Sequence, residues 1–142
     1  MNNQVKEIIF SGPEGKLVGK YKKGQSLNPP IALLLHPHPL YGGTMNNPIV
    51  MELYNIFDSF GFSTFRFNFR GVGKSEGKFD NGLGELADAA AALDWLQRQN
   101  DANFFWLLRL GKNDRVGEFF SFCGTDISRA LSQCGPLHRS LH

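Results

Sequence analysis

Residues 31–47 read IALLLHPHPLYGGTMNN, and this stretch decides the fold. Ile31–Leu35 is an unbroken apolar run. A strand wetted on one side alternates apolar with polar residues, so five apolar residues in succession call for burial on both faces, as in the middle of a parallel sheet. The run stops at His36-Pro37-His38-Pro39. Proline has no N–H for a ladder, and two of them in three positions end the strand. A glycine-bearing loop follows, LYGGTMN. Asn47-Pro48 then opens a helix, the asparagine as cap and the proline at the first helical position, where its missing N–H costs nothing. Ile49, Leu53, Ile56, Phe57 and Phe60 recur at helical spacing, and Gly61 closes the helix.

The same grammar extends outward. Val5–Phe10 and Leu17–Lys23 read as short strands that the turn SGPEG joins into a hairpin. Phe62–Phe69 (FSTFRFNF) alternates aromatic with polar residues as a strand, and RGVGKSEGKFDNGLG is a glycine-rich loop. Leu83 to about Gln99 is a helix around the alanine-rich run ADAAAALDWL, and Phe104–Leu110 (FFWLLRL) is a further apolar strand. This order predicts an α/β fold: a mostly parallel sheet begun by an antiparallel hairpin, with helices on both faces. Beyond it the pattern weakens. Residues 1–106 hold ten basic and ten acidic residues, whereas 107–142 hold five and three, together with both cysteines. We read 1–107 as one partial domain and 108–142 as a divergent, irregular tail.

Composition narrows the function classes. A chain of 142 residues with 42% hydrophobic and 20% charged residues suits one globular domain. A net charge of +2 gives no reason to expect nucleic acid or an anionic membrane as partner. No apolar run reaches the ~18 residues of a membrane span, and MNNQVKEIIF has no secretory core, so a cytoplasmic location is expected. Cys123 and Cys134 then read as free thiols.

Three segments carry candidate chemistry. HPHPLYGGTMNN lies just past the end of a buried parallel strand, where ligands bind in open α/β sheets. Its glycines let backbone N–H groups approach a ligand, and the prolines leave donation to His38, Leu40, Tyr41, Gly42 and Gly43. His36 and His38 could instead cap the strand end, or form half of a metal site. A metal needs a third ligand, and the other histidines, His138 and His142, lie in the tail, so neither metal nor cofactor is expected. Gly73-Lys74-Ser75 suggests a phosphate loop, but Asn68 stands where that motif needs glycine, and loop chemistry follows where a helix should begin. A tight structural turn is the better reading. Glu85 and Asp88 read as the solvated first turn of a helix, with a catalytic carboxylate as the minor alternative.

HPHPLYGGTMNN, then FRFNFRGVGKSEG, then a helix ending LDWL and a strand together resemble the α/β-hydrolase superfamily. The resemblance is to its dienelactone-hydrolase-like and acyl-peptidase-like bacterial branch, over roughly residues 5–107. It implies a strand order 1-2-4-3-5 with the third strand central. It implies an oxyanion hole drawn from His36, His38, Leu40, Tyr41, Gly42 and Gly43, and a structural turn at Arg70–Gly77. The strand at Phe104–Leu107 would lead into a nucleophile elbow, G-x-S-x-G. After Leu107 the chain reads LRLGKNDRVGEFFSFCGTD, and the elbow is absent there. Ser121 has Phe119 and Cys123 where glycines belong; Asp114 has Lys112 and Val116. The expectation is thus the N-terminal part of a hydrolase of small acyl substrates (ester, thioester or amide), inactive through truncation, frameshift or divergence near residue 107. A non-catalytic binding module is the alternative. Left uncovered, Phe104–Leu110 would be an apolar sheet edge through which chains self-associate.

Overall fold

The structure, a computed structural model, describes residues 4–37, 43–99, 104–110 and 116–123, the last two segments by backbone course. Strands β1 (Lys6–Gly12), β2 (Gly15–Lys22), β3 (Ile31–Leu35), β4 (Ser63–Phe67), β5 (Phe104–Leu110) and β6 (Val116–Cys123) form one sheet in the order β1-β2-β4-β3-β5-β6. Helix α1 (Pro48–Ser59) links β3 to β4, and α2 (Leu83–Gln99) links β4 to β5.

β3 lies between β4 and β5 and is parallel to both. Its alternate side chains serve two cores. Ile31, Leu33 and Leu35 point into one cluster with Phe10, Leu17, Phe65, Phe67 and Phe69, closed by Ala89, Ala92, Leu93 and Leu96 of α2. Ala32 and Leu34 join Val50, Tyr54 and Phe57 of α1 on the opposite face. Burial on both sides is what the uninterrupted run demanded, at about 1.5–3 kcal/mol for each large side chain removed from water. The parallel pairing is confined to these three central strands. β1 and β2 form the antiparallel hairpin, and β2 joins β4 antiparallel as well.

Three expectations need correction. The tail is not irregular throughout, because Val116–Cys123 pairs antiparallel with β5. Valine and phenylalanines favour a pleated strand whatever their periodicity. β5 is therefore not a sheet edge. The packed stripe of α1 is Val50, Tyr54 and Phe57, whereas Ile56 and Phe60 are 48% and 71% exposed. Spacing alone admitted both stripes, and packing against Ala32 and Leu34 of the sheet turns the first of them inward. Finally, β4 spans Ser63–Phe67 and is buried on both faces, polar positions included.

The polar side of β4 has consequences. Arg66 is only 4% exposed, its guanidinium 4.7 Å from the centre of the Tyr54 ring. Thr64 Oγ1 is buried with no hydrogen-bond partner among the described residues. An unpaired buried hydroxyl costs roughly 1–3 kcal/mol, while valine has nearly the same shape. Thr64→Val is expected to raise unfolding stability by about 1 kcal/mol. A urea titration showing a loss instead would mean that the hydroxyl is paired in solution.

Candidate functional site

The loop leaving β3 begins with a histidine whose two ring nitrogens are both engaged. His36, 3% exposed, donates from Nδ1 to the Pro37 carbonyl at 2.7 Å. Its Nε2 accepts the Phe69 N–H at 3.1 Å, and its ring meets the Phe69 ring edge-on at 4.8 Å. This pattern requires the neutral imidazole with the proton on Nδ1. Burial accordingly lowers its pKa from 6.5 to about 4, against the raising effect of the Pro37 carbonyl. Such a ring is available neither to a metal nor to proton transfer. Of the two roles open to its ring from sequence, strand-end cap or metal ligand, capping is the one the geometry supports: it pegs the end of β3 to the end of β4.

His38, Leu40, Tyr41 and Gly42 lie outside the described residues. Gly43 is buried where the description resumes. There the loop is held by the same strand end. Met45 N–H donates to Asn68 Oδ1 at 2.9 Å, and Asn46 N–H to Thr44 Oγ1 at 3.1 Å. Asn47 caps α1 as expected, its Oδ1 accepting from Ile49 at 2.9 Å and Val50 at 3.4 Å, with Pro48 behind it. Both ends of the 37–44 segment are thus tied to consecutive residues, Asn68 and Phe69. Sequence reading took Asn68 as the polar half of an alternation and missed this role. Its only signal was an amide side chain beside a glycine turn.

The segment 70–77 is the tight turn that was expected. Gly71 (φ 75°), Gly73 (φ 55°) and Gly77 (φ 93°) occupy the left-handed region, which side chains disfavour. No helix starts at Lys74; the next begins at Leu83, which removes the phosphate-loop reading. The letters Gly73-Lys74-Ser75-Glu76-Gly77 also fit G-x-S-x-G, a match the reading as a turn overlooks. Yet Ser75 is 6% exposed; its Oγ donates to Asn68 O at 2.7 Å and accepts from Val18 N–H at 3.0 Å. Without the strand-to-helix context or a free hydroxyl it cannot act as an exposed nucleophile. It fastens the turn to β2, as does Glu76, which accepts from Lys16 N–H at 2.6 Å.

The acids of α2 correct a further expectation. Asp88 is 0% exposed and Glu85 2%, so neither is solvated. Asp88 takes Arg70 in a fork, Nη2 to Oδ1 at 2.9 Å and Nε to Oδ2 at 3.1 Å, and also accepts the Arg70 N–H at 3.0 Å. That hydrogen-bonded carboxylate raises the Arg70 pKa above its usual value. Gly84 leaves room for the guanidinium, which a β-carbon there would strike. Glu85 accepts the N–H groups of Asp80 (3.0 Å) and Gly82 (2.8 Å) at the helix start. Charge type and helix position suggested a solvated turn; the partner 18 residues upstream was invisible to local reading.

Downstream, Ser121 sits within β6 opposite Trp106 of β5, in a strand and not at an elbow. Asp114, Cys134, His138 and His142 lie outside the described residues. Among the described residues no three His, Cys, Asp or Glu side chains gather as a metal site, and no helix is long and apolar enough to cross a membrane. The described part of the site is therefore a strand end pegged by His36 and Asn68.

Comparison with known proteins gives the same architecture. No family model matches the chain. A putative α/β hydrolase of Agrobacterium tumefaciens superposes with a TM-score of 0.72 at 50% identity, over 75% of this chain and 49% of its own. An α/β serine hydrolase homologue from Coxiella burnetii gives 0.70 at 39% identity, over 78% and 53%. An uncharacterised protein of Rickettsia prowazekii is 60% identical over 94 residues, which make up 66% of this chain and 40% of that protein. The chain thus spans about half the length of these relatives or less. With the hairpin, the parallel centre, the pegged loop after β3 and the glycine turn after β4, this chain belongs to the α/β-hydrolase superfamily, of whose fold it carries the N-terminal part.

Proposed function

We propose that residues 36–44 are the oxyanion-stabilising side of an acyl-hydrolase site, for an ester, thioester or amide of a small molecule, and that the chain by itself does not turn such substrates over. The observation that carries this reading is the double tether of the loop to Asn68 and Phe69. Fixed ends limit how far a loop between them reorganises during reaction, the condition under which backbone donors stabilise a developing oxyanion. The missing part is the nucleophile. β5 leads through residues 111–115 into an antiparallel strand, and the two serines flanking this region, Ser75 and Ser121, lie in a turn anchor and in a strand. The departure from the family pattern near residue 107 accounts for this.

Release of nitrophenol from a short-chain nitrophenyl ester should therefore stay near the buffer rate, equally in the chain and in its Ser75→Ala and Ser121→Ala variants. Saturable turnover in the unaltered chain would overturn the reading, and its disappearance in one variant would identify the nucleophile.

A further inference from the structure

The α1-facing side of the sheet carries an arginine that the hydrolase reading does not use. Arg66 is 96% removed from solvent, yet its side chain has no hydrogen-bond or ion-pair partner among the described residues, and its Nε is fully enclosed. The Tyr54 ring, 4.7 Å away, engages a guanidinium through its face. That contact leaves the in-plane N–H donors, the fork that fits carboxylates and phosphates, without an acceptor. A nearly buried, unpaired cation is expensive, and here burial lowers the arginine's pKa with only Tyr54 opposing.

Directly across the ladder stands a second cation. Lys20 of β2 is the register partner of Arg66, and opposite residues of an antiparallel pair share a face. Lys20 is half-buried and also lacks a side-chain partner among the described residues. Its neighbour on this face, Lys22, is already neutralised by Asp58 of α1 at 2.8 Å. Glu7 of β1, the residue opposite Lys20 on its other side, is exposed and makes no ion pair with it. We propose that Arg66 and Lys20 form a binding site for a small oxyanion, phosphate or carboxylate, on the α1-facing side of the sheet. The arginine offers a planar two-pronged donor and the lysine a mobile point charge beside it, and an anion there would relieve both.

The test is thermal melting of the full chain in sodium phosphate, sodium acetate or sodium chloride at matched ionic strength. A rise in Tm specific to phosphate, to acetate or to both supports the site and identifies which acceptor it prefers. Lys20→Gln should weaken the apparent affinity about tenfold, the size expected for one charge-assisted contact. Arg66→Gln should abolish the shift, and Arg66→Lys, which keeps the charge but not the fork, should restore only part of it. Should the arginine variants fail to fold, Lys20→Gln still decides, since that side chain is only half-buried and makes no pair among the described residues. Equal melting in all three salts, or a shift unchanged in Lys20→Gln, would overturn the proposal.

Discussion

Asp88→Ala is expected to destabilise the fold by about 3–5 kcal/mol, a large part of the 5–15 kcal/mol that holds a typical domain together. The carboxylate accepts the Arg70 side chain through two atoms and the Arg70 N–H besides, at 0% exposure. Truncation leaves a cation and a backbone donor buried with no acceptor, and it is this residue of unpaired groups, more than the lost attraction, that sets the cost. The turn at 70–77 should loosen with it, since Arg70 opens that turn. Asp94→Ala is the matching control. Asp94 pairs with Arg98 at 2.9 Å, but with side chains 52% and 73% exposed. Such a pair contributes a few tenths of a kcal/mol at most. Urea unfolding of both variants distinguishes the two cases, and equal losses would mean that the Arg70–Asp88 fork is open to water in solution.

The second large effect is on acid stability. His36 is neutral in the fold with a pKa of about 4, whereas in the unfolded chain it titrates near 6.5. Between these values the unfolded chain binds the proton and the folded chain does not. Stability therefore falls as pH falls through this window, by about 1.4 kcal/mol per pH unit, and a total on the order of 3 kcal/mol is gone near pH 4. Above about pH 6.5 the group contributes no slope. His36→Gln can keep an acceptor for the Phe69 N–H but cannot titrate, so the difference in pH dependence between the two proteins isolates this histidine. Parallel stability–pH curves from pH 7 to 4.5 would show that the ring is hydrated or unpaired. Protonation would break the Phe69 bond, so the 37–44 loop should lose one of its two tethers at the acid end of the range.

The fold was legible in sequence wherever one residue type had one physical use. Ile31–Leu35 admitted only a doubly buried strand, and Asn47-Pro48 only a helix start. What sequence could not show was pairing across distance. Asp88 looked solvated because nothing near it in the chain is basic; Arg70 reaches it only after the chain folds back. Asn68 looked like an outward polar position in an alternating strand, and Arg66 likewise, because alternation presupposes a wet face that α1 removes. β6 was missed for the opposite reason: its aromatic residues lack the alternation of a half-buried strand but keep the backbone preference for one. Of the candidate site, the loop's location followed from the abrupt end of β3. The role of His36 as a peg did not, because it depends on the two partners its ring nitrogens find.

The position of β3 also bears on how the chain is made. Both of its neighbours are synthesised after it, β4 beginning at Ser63 and β5 at Phe104. From Leu35 to Phe104 is about 70 residues, several seconds of elongation at roughly 5–20 residues per second. The β1–β2 hairpin can close while the ribosome is still at work, because its partners are adjacent in sequence. β3 cannot complete its ladder until β5 has left the exit tunnel. The most deeply enclosed strand of the finished protein is thus the one that spends longest on the nascent chain as an open, wholly apolar edge.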